Sequence, residues 1–283
     1  MRREFNAFTA MIYRQLKRWI SSPSRVISIV IQPFLWLFFI GVGFGSIFSG
    51  NTHTEFDNLP IPVNTTQIIQ TYFTRLFGGV DYVTFIVSGL VVTTAFIGSF
   101  ISGISVIWDK QFGFLKESLV APASRRVIIL GRIVGDSIVN TIQALLVIAV
   151  ALPFANGLRL ENIPLRLLYI FITALGFTGL GTAVSLKISS MEGFQMIVNL
   201  LTMPLMFLSG VFYPLTQMPG WMQVASKLNP LTYSVHGVRY WLAGANVGFE
   251  YMNWLLDLAV VIVFALALIA VATQMFERAT IED

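Results

Sequence analysis

The 283-residue chain contains no cysteine, only two histidines and few charged residues. The missing cysteines exclude disulfides, thiolate metal sites and thiol nucleophiles. The two histidines, His53 and His236, lie in different loops, and no H-E-x-x-H motif is present, which argues against a zinc protease. Charged residues make up 11% of the chain, whereas about 25% is usual in soluble domains.

Motifs for nucleotide binding and for serine hydrolysis are also missing. The sequence has no G-x-x-x-x-G-K-[ST] phosphate-binding loop and no G-x-S-x-G nucleophile elbow. The formal net charge is +4, but the basic residues cluster beside apolar runs, so the charge does not indicate a nucleic-acid partner. We therefore expect no catalytic residue, cofactor site or metal site in this chain.

Hydrophobic residues make up 55% of the chain and gather in runs of about 20 residues, the length that a helix needs to cross a bilayer. Because every backbone amide inside a bilayer has to be paired, such runs are expected to be helices. The sequence therefore predicts an all-α polytopic membrane protein, a single transmembrane domain over 1–283. Its six predicted spans are 26–48, 82–107, 133–154, 165–186, 194–212 and 254–275.

The distribution of Lys and Arg among the loops predicts how the chain is oriented. If residue 1 is cytoplasmic, 13 of the 18 basic residues flank the spans on the cytoplasmic side and five on the other. An excess of Lys and Arg marks the cytoplasmic side of a membrane protein. We therefore expect a multi-pass protein of the cell (plasma or cytoplasmic) membrane with both termini in the cytoplasm.

Residues 1–22 form a separate predicted unit, a basic amphipathic helix. On a helical wheel, Phe8 and Ile12 fall on an apolar side, while Arg14 and Lys17 fall opposite. That arrangement is typical of an interfacial helix in the inner headgroup layer, which makes the lipid bilayer a partner. A soluble helix packed on another protein gives the same pattern.

The loop after the fifth predicted span contains further helical signals. Leu231 to Leu242 is apolar, but it is too short to span a membrane, because a crossing needs about 20 residues. Turn signals at Pro219 and Asn229 precede this segment. We expect re-entrant outer helices between spans five and six.

Two patterns within the predicted spans admit more than one interpretation. Arg132 and Asp136 are one helical turn apart, so they form either a structural ion pair or a proton or substrate site. Gly41 and Gly45 have the small-residue spacing that lets two helices approach closely. The spacing leaves open whether that contact lies within one chain or between two.

The loop between the second and third predicted spans contains a short amphipathic helix. Phe112, Leu115 and Leu119 recur at helical spacing, with charged residues between them. Pro122 follows and ends the helix before a basic turn leads back to the membrane. From the residues alone, the segment is equally a helical loop anchored by positive charge or a docking helix for a partner protein.

Two stretches resemble the type-2 export permeases of ATP-binding-cassette (ABC) transporters, most closely the daunorubicin and drug-resistance branch. The first spans 112–132 and ends in I-I-L-G-R. The second, more specific stretch spans 208–244 and contains Asn229, Pro230 and Arg239. With the basic N-terminal helix and the six predicted spans, the resemblance covers nearly the whole chain.

The resemblance implies the membrane half of an ATP-driven exporter. The cytoplasmic helix would be a coupling helix that contacts a separate ABC ATPase subunit through Phe112, Phe114, Leu115, Lys116, Glu117 and Leu119. ATP and magnesium would bind to that partner subunit. A second permease copy, giving a homodimer or a closely related heterodimer, would complete the transporter.

The resemblance also implies a substrate path between two permease copies. Its cargo would be hydrophobic or amphipathic, a drug, lipid or glycan. The residues expected to line the path are Phe34, Phe38, Phe39, Asn199, Met203, Met206 and Phe207.

Two other functions stay open at the level of sequence. An ion-coupled secondary transporter or channel needs ionisable groups along a path through the membrane, and the spans contain few besides Arg132 and Asp136. A membrane-embedded hydrolase or transferase would act on a lipid-linked substrate, and the sequence offers it the least support.

Overall fold

The computed structural model describes residues 2–48, 65–114, 123–155, 157–159, 161–188 and 190–278, and within those ranges it contains helices and no strand. A π-helical turn, Leu37–Val42, joins the second and third helices. The helices are α1 (Arg2–Ile20), α2 (Pro23–Trp36), α3 (Gly43–Phe48), α4 (Thr65–Leu76), α5 (Tyr82–Ile101), α6 (Ile104–Gln111), α7 (Arg125–Ala151), α8 (Ile163–Lys187), α9 (Met191–Leu208), α10 (Gly220–Leu228), α11 (Pro230–Ala243) and α12 (Trp254–Arg278).

Five helical stretches in the described part of the chain are long and apolar enough to cross a membrane. They are α5 with α6 (Tyr82–Gln111), α7, α8, α9 and α12, and each overlaps one predicted span. The first predicted span, 26–48, falls on α2, the π turn and α3, of which Ile31–Gly45 is a shorter apolar stretch. The multi-pass prediction is therefore confirmed, with five spans supported by length and apolarity.

Two helix ends differ from the prediction for local reasons. α7 begins at Arg125 rather than at 133, because the Ser124 hydroxyl oxygen accepts a hydrogen bond from the Val127 amide and caps the helix there. α9 ends at Leu208 rather than at 212, because Gly210 takes a left-handed φ of 77° two residues later. Each end is set by its capping residue and not by where apolar residues stop.

The long helices run antiparallel, so their termini meet at two ends of the bundle. At one end, which we call the α1 end, α1 meets the start of α7, and the end of α6 meets the end of α8 and the start of α9. At the opposite end, the Tyr82 hydroxyl of α5 donates to the Phe212 carbonyl oxygen, which follows α9. The described end of α12 lies at the α1 end, where Arg125 donates to the Glu277 carbonyl oxygen.

α5 is the central helix, and most of its side chains are buried. The backbones of neighbouring segments come close to the backbone of α5 at positions where one of the two residues is a glycine. A Cβ at Gly181 of α8 would meet the backbone of Phe100, and one at Gly89 would lie 3.0 Å from the Val211 Cα atom. Glycine is needed at these crossings because any side chain would push the helices apart.

The small-residue pair Gly41 and Gly45 makes its contacts within the chain. A Cβ on Gly41 would lie 3.4 Å from Ile86, and one on Gly45 would lie 3.2 Å from Val83, both on α5. Within the chain, this pair therefore packs the π turn and α3 along α5.

α1 packs on the first turns of α7. Gly131 and Gly135 leave room for it, because a Cβ at these positions would lie 2.8 Å from the Phe8 carbonyl oxygen and 3.1 Å from the Ile12 Cα atom. The Glu4 carboxylate accepts hydrogen bonds from the Ser124 amide and hydroxyl at about 3 Å, in the loop just before α7. The predicted N-terminal helix is thus observed, with part of its surface packed on its own chain.

α10 and α11 are the helices observed where outer helices were predicted. α11 is largely buried against α5, α8 and α12. Its Arg239 guanidinium lies 3.6 Å from the Phe85 ring centroid, and its Nε donates to the Ser88 hydroxyl at 3.0 Å. His236 on the same helix bonds Asp257 of α12 through Nδ1 at 2.6 Å. These buried polar contacts fasten α11 to two long helices.

The glycine at the crossing of α5 and α8 gives a direct stability test. Gly181→Ala places a methyl group against the Phe100 backbone, and overpacking of this kind costs about 1–3 kcal/mol. Gly43→Ala is the matched control, because nothing lies within 4 Å of its Cβ and alanine is the better helix former. Thermal unfolding of the two variants in one detergent should show a lower midpoint for Gly181→Ala only. Equal midpoints would contradict the close crossing.

Candidate functional site

A cavity of about 770 Å³ lies between α1, α2, α5, α6, α7 and α9. This volume is in the range of small-molecule sites, which run from about 300 to 1,000 Å³. The cavity begins near the α1 end, where α1 and α6 contribute to its wall, and extends to Phe212 beyond the end of α9. It is therefore the candidate site for a transported molecule.

Polar stripes on two spans line the cavity. On α7 the stripe is Asp136, Asn140 and Gln143, and on α9 it is Gln195, Asn199 and Thr202. Each set has the i, i+4, i+7 spacing that places side chains on one helix face. Polar side chains inside apolar spans are costly and usually functional.

The lining residues of α1, α2 and α6 combine amides with indole rings. α1 contributes Gln15, Arg18 and Trp19, while α2 contributes Gln32 and Trp36. A third indole, that of Trp108, comes from α6, and the guanidinium of Arg18 lies 5.6 Å from its centroid. The wall thus offers flat apolar surfaces beside hydrogen-bonding groups.

The cavity changes in polarity along its length. Gln195 lies in the second turn of α9 near the α1 end, Thr202 lies two turns deeper, and Met206 lies one turn beyond Thr202. Leu90 and Phe212 line the deeper part as well. An amphipathic molecule would therefore match the cavity with its polar part towards the α1 end.

Four lining side chains have a buried polar atom without a partner in the described structure. These atoms are Gln15 Nε2, Trp19 Nε1, Gln143 Oε1 and Thr202 Oγ1. Other lining groups are paired within the protein: Asn140 donates to the Asp136 carbonyl oxygen at 2.7 Å. Because an unpaired buried polar atom costs roughly 1–3 kcal/mol, a ligand or solvent that pairs these atoms would be stabilised.

Two of the helices that line the cavity have an internal proline. Pro33 lies in α2, one turn before the π turn, and Pro204 lies in α9. A proline removes a backbone hydrogen bond and bends a helix, and π turns are frequent at functional sites. α2 and α9 are therefore the lining helices best suited to move.

A buried ion cluster joins α1, α6 and α7 below the cavity. The Asp109 carboxylate accepts from Arg14 at 2.9 Å and from Arg132 at 2.6 Å. Arg132 also donates to the Ser105 hydroxyl at 2.5 Å. The ion pair predicted between Arg132 and Asp136 is therefore wrong in its acidic partner, because the end of α6 brings Asp109 against Arg132.

Further contacts hold both flanks of the loop between α6 and α7. Lys110 donates to the Leu186 carbonyl oxygen of α8 at 2.6 Å. Beyond the loop, Arg126 pairs with Glu277 of α12. The residues on both sides of the loop are thus bonded to other long helices.

Comparison with known proteins decides the family of this bundle. The family model described as "ABC-2 type transporter" matches residues 6–243. The chain belongs to the ABC-2 transporter family. It is accordingly a membrane permease subunit of an ABC transporter, and the resemblance seen in the sequence is confirmed.

Similar permeases come from red algal and bacterial sources. The chain is 30% identical over 245 residues to "Putative transport permease ycf38" of Pyropia yezoensis, covering 85% of this chain and 75% of that one. It is 29% identical to "Inner membrane transport permease YadH" of Escherichia coli, covering 65% and 75%. It is also 29% identical to "Probable multidrug ABC transporter permease YbhR" of Escherichia coli, covering 62% and 47%.

The predicted coupling residues of the permease are only partly within the described structure. Phe112 ends α6 and is 68% exposed, Phe114 is 48% exposed, and Gly113 between them takes a left-handed φ of 79°. Arg14 lies 5.8 Å from the Phe114 ring centroid. Leu115, Lys116, Glu117 and Leu119 lie outside the described residues.

The predicted path residues separate into two groups. Asn199, Met203 and Met206 line the cavity. Phe38, Phe39 and Phe207 are exposed on the outside of the bundle, and Phe34 packs edge-on against Phe154 with centroids 6.0 Å apart. The structure thus brings together three polar or sulfur-containing residues of α9 and leaves all four predicted phenylalanines outside the cavity.

Sequence reasoning missed most of the polar lining of the cavity. The spacing of Asp136, Asn140 and Gln143 in an otherwise apolar run was the available signal. The same spacing in Gln195, Asn199 and Thr202 was a second signal. The contribution of Gln15 and Trp19 carried no such signal, because it depends on how α1 folds back.

The ion cluster below the cavity gives the second prediction. Asp109→Asn leaves the buried Arg132 without its carboxylate, and breaking a buried pair costs about 3–5 kcal/mol. Arg14→Gln should cost less, because Arg14 is about a third exposed and solvent screens its charge. Chemical unfolding in detergent measures both. If Asp109→Asn is harmless and Asp136→Asn destabilises, Arg132 pairs with Asp136 after all.

Proposed function

We propose that this permease is the membrane-spanning half of an exporter that moves a hydrophobic or amphipathic molecule with energy from a separate ABC ATPase subunit. One observation carries the proposal: α6 supplies Ser105 and Trp108 to the cavity wall and ends at the exposed Phe112. A force on that exposed turn would reach the cavity through a single short helix. Pairing with an ATPase subunit is normal for the ABC-2 family.

The ATPase partner would supply the nucleotide chemistry. The chain has no phosphate-binding loop, so ATP and magnesium would bind on the partner, and this chain would hold neither. The segment around Phe112 and Phe114 would be the coupling contact. An exposed aromatic pair suits this role, because buried aromatic anchors carry much of the binding energy at protein interfaces.

Two permease copies would form the working transporter, as a homodimer or a closely related heterodimer. Large apolar side chains project outward from α9 and from the π turn, among them Phe38, Phe39, Met196 and Leu200. α9 also lines the cavity. If a second copy packed against this surface, the two cavities would lie beside a shared path. Lipid would cover the rest of the outer surface of the bundle.

The orientation follows from the basic residues at the α1 end. Arg14, Lys17, Lys110, Arg125 and Arg126 belong to elements that meet there. A cytoplasmic α1 end would satisfy the rule that Lys and Arg accumulate inside. Both termini would then be cytoplasmic, and α2 with α3 would be a sixth crossing of the cell membrane.

The transport step would be a change in the shape of the cavity. Closure of the ATPase pair would displace the turn at Phe112, and Asp109 would carry the displacement to α1 and α7 through its two arginines. α2 and α9 would respond most, because their internal prolines weaken them. α10 and α11 would bound the path on the outer side.

The third prediction tests coupling to an ATPase. Phe112→Ala and Phe114→Ala should weaken association with the ATPase subunit by about 2 kcal/mol, as loss of an aromatic anchor does. The matched control is Trp221→Ala, an aromatic residue that is 71% exposed at the start of α10, far along the chain from the loop. Co-purification and ATPase rate in nanodiscs are the measurements.

Three results would count against the proposed function. The permease alone should show no ATP hydrolysis, so activity without a partner contradicts it. If Trp221→Ala weakens association with the ATPase subunit as much as Phe112→Ala and Phe114→Ala do, the turn at Phe112 has no special role in that contact. Transport that follows a proton or sodium gradient without any ATPase, and that Asp136→Asn abolishes, would favour an ion-coupled carrier, since Asp136 lines the cavity.

A further inference from the structure

We propose that the cavity recognises an amphipathic molecule by an uncharged head with several hydroxyl groups, as in a glycosylated hydrophobe. This inference rests on the proposed export function and narrows its substrate class. The head would lie near the α1 end, and the apolar part would extend towards Met206 and Phe212.

The carboxamides of the wall carry the first argument. Six line the cavity: Gln15, Gln32, Asn140, Gln143, Gln195 and Asn199. A carboxamide both donates and accepts hydrogen bonds, and so does a hydroxyl group. Gln195 donates to Asn199 at 2.9 Å, and Asn140 donates to its own helix. A ligand with several hydroxyls can pair with the remaining donors and acceptors of this wall in many orientations, whereas a hydrocarbon can pair with none of them.

The charges of the wall carry the second argument. Among the described residues, the lining side chains that are charged at neutral pH are Arg18 and Asp136, which have opposite signs. An anionic head would approach Asp136, and a cationic head would approach Arg18. Because neither sign is in excess, the wall offers no net attraction to a head that carries a single charge.

Unpartnered atoms and indole rings add a third argument. Gln143 is 2% exposed and Gln15 is 4% exposed, yet Gln143 Oε1 and Gln15 Nε2 have no partner. One accepts and the other donates, so hydroxyl groups can satisfy both after a small rotation of each amide. Trp19, Trp36 and Trp108 present apolar faces with a polar edge, which suit a sugar ring with C–H faces and O–H edges.

Photolabelling of the permease in nanodiscs, without an ATPase, tests the head preference. Four probes would share a decyl chain with a diazirine and differ in the head: maltoside, phosphocholine, sulfate and trimethylammonium. We expect the maltoside probe to label peptides of α5 and α9 several times more than the others. Unlabelled dodecyl maltoside should compete this labelling away.

Two variants connect the labelling to the cavity. Thr202→Val keeps the side-chain shape and removes a hydroxyl that has no partner, so the fold should persist. It should lower maltoside labelling by about fivefold, the effect of one hydrogen bond. Gln143→Leu should do the same. The control variants make the same two changes away from the cavity: Thr273→Val on α12 and Gln217→Leu in the exposed 3₁₀ turn after α9. Both controls should leave maltoside labelling unchanged.

The outcomes separate this inference from the proposed function. Equal labelling by all four heads, or maltoside labelling that neither cavity variant reduces, would overturn the head preference. The ATPase partner is then added. If maltoside labels selectively but never changes ATP hydrolysis or moves across the membrane, the cavity preference stands and the export function fails. If cargo is exported without regard to its head, export stands and this inference fails.

Discussion

Enclosure of α5 on all sides is the constraint on which the rest of the structure depends. A helix that is apolar around its whole circumference has to be surrounded, and a bundle of helices does so only if their backbones come close. Glycines allow that approach at Gly89 and Gly181. The buried Arg239 adds a polar clamp from α11. Tight packing on one side of α5 thus determines which positions the remaining helices can take.

The cavity is the place where this enclosure is incomplete. Close to the α1 end, α5 and α6 line an open space together with α1, α2 and α9, and direct contacts such as Arg14 with Asp109 connect these helices beside it. α9 is also the least buried of the five long apolar stretches. The bundle therefore combines a rigid core of α5, α7, α8, α11 and α12 with a looser wall. A transporter needs this division, because a packed core transmits force and only loosely held elements can change their position.

Much of the helical pattern could be predicted, because apolar run length reflects bilayer thickness directly. The pairing of Arg132 could not, since sequence spacing reveals neighbours on the same helix, such as Asp136, but not Asp109 at the end of another. The lining of the cavity could be predicted only in part. Its stripes on α7 and α9 are periodic in the sequence, yet the phenylalanines expected beside them, including Phe38 and Phe39, face outward. Which stripes converge depends on helix rotation in the assembled bundle.

The docking of α1 on α7 has a consequence for synthesis. Glu4 bonds to Ser124, which is 120 residues later in the chain, and Phe8 rests on Gly131. α1 is made before α7, so it has no such surface to pack against until synthesis has reached α7. Its amphipathic sequence would suit the headgroup layer during that interval. The membrane surface would then hold α1 until α7 is made.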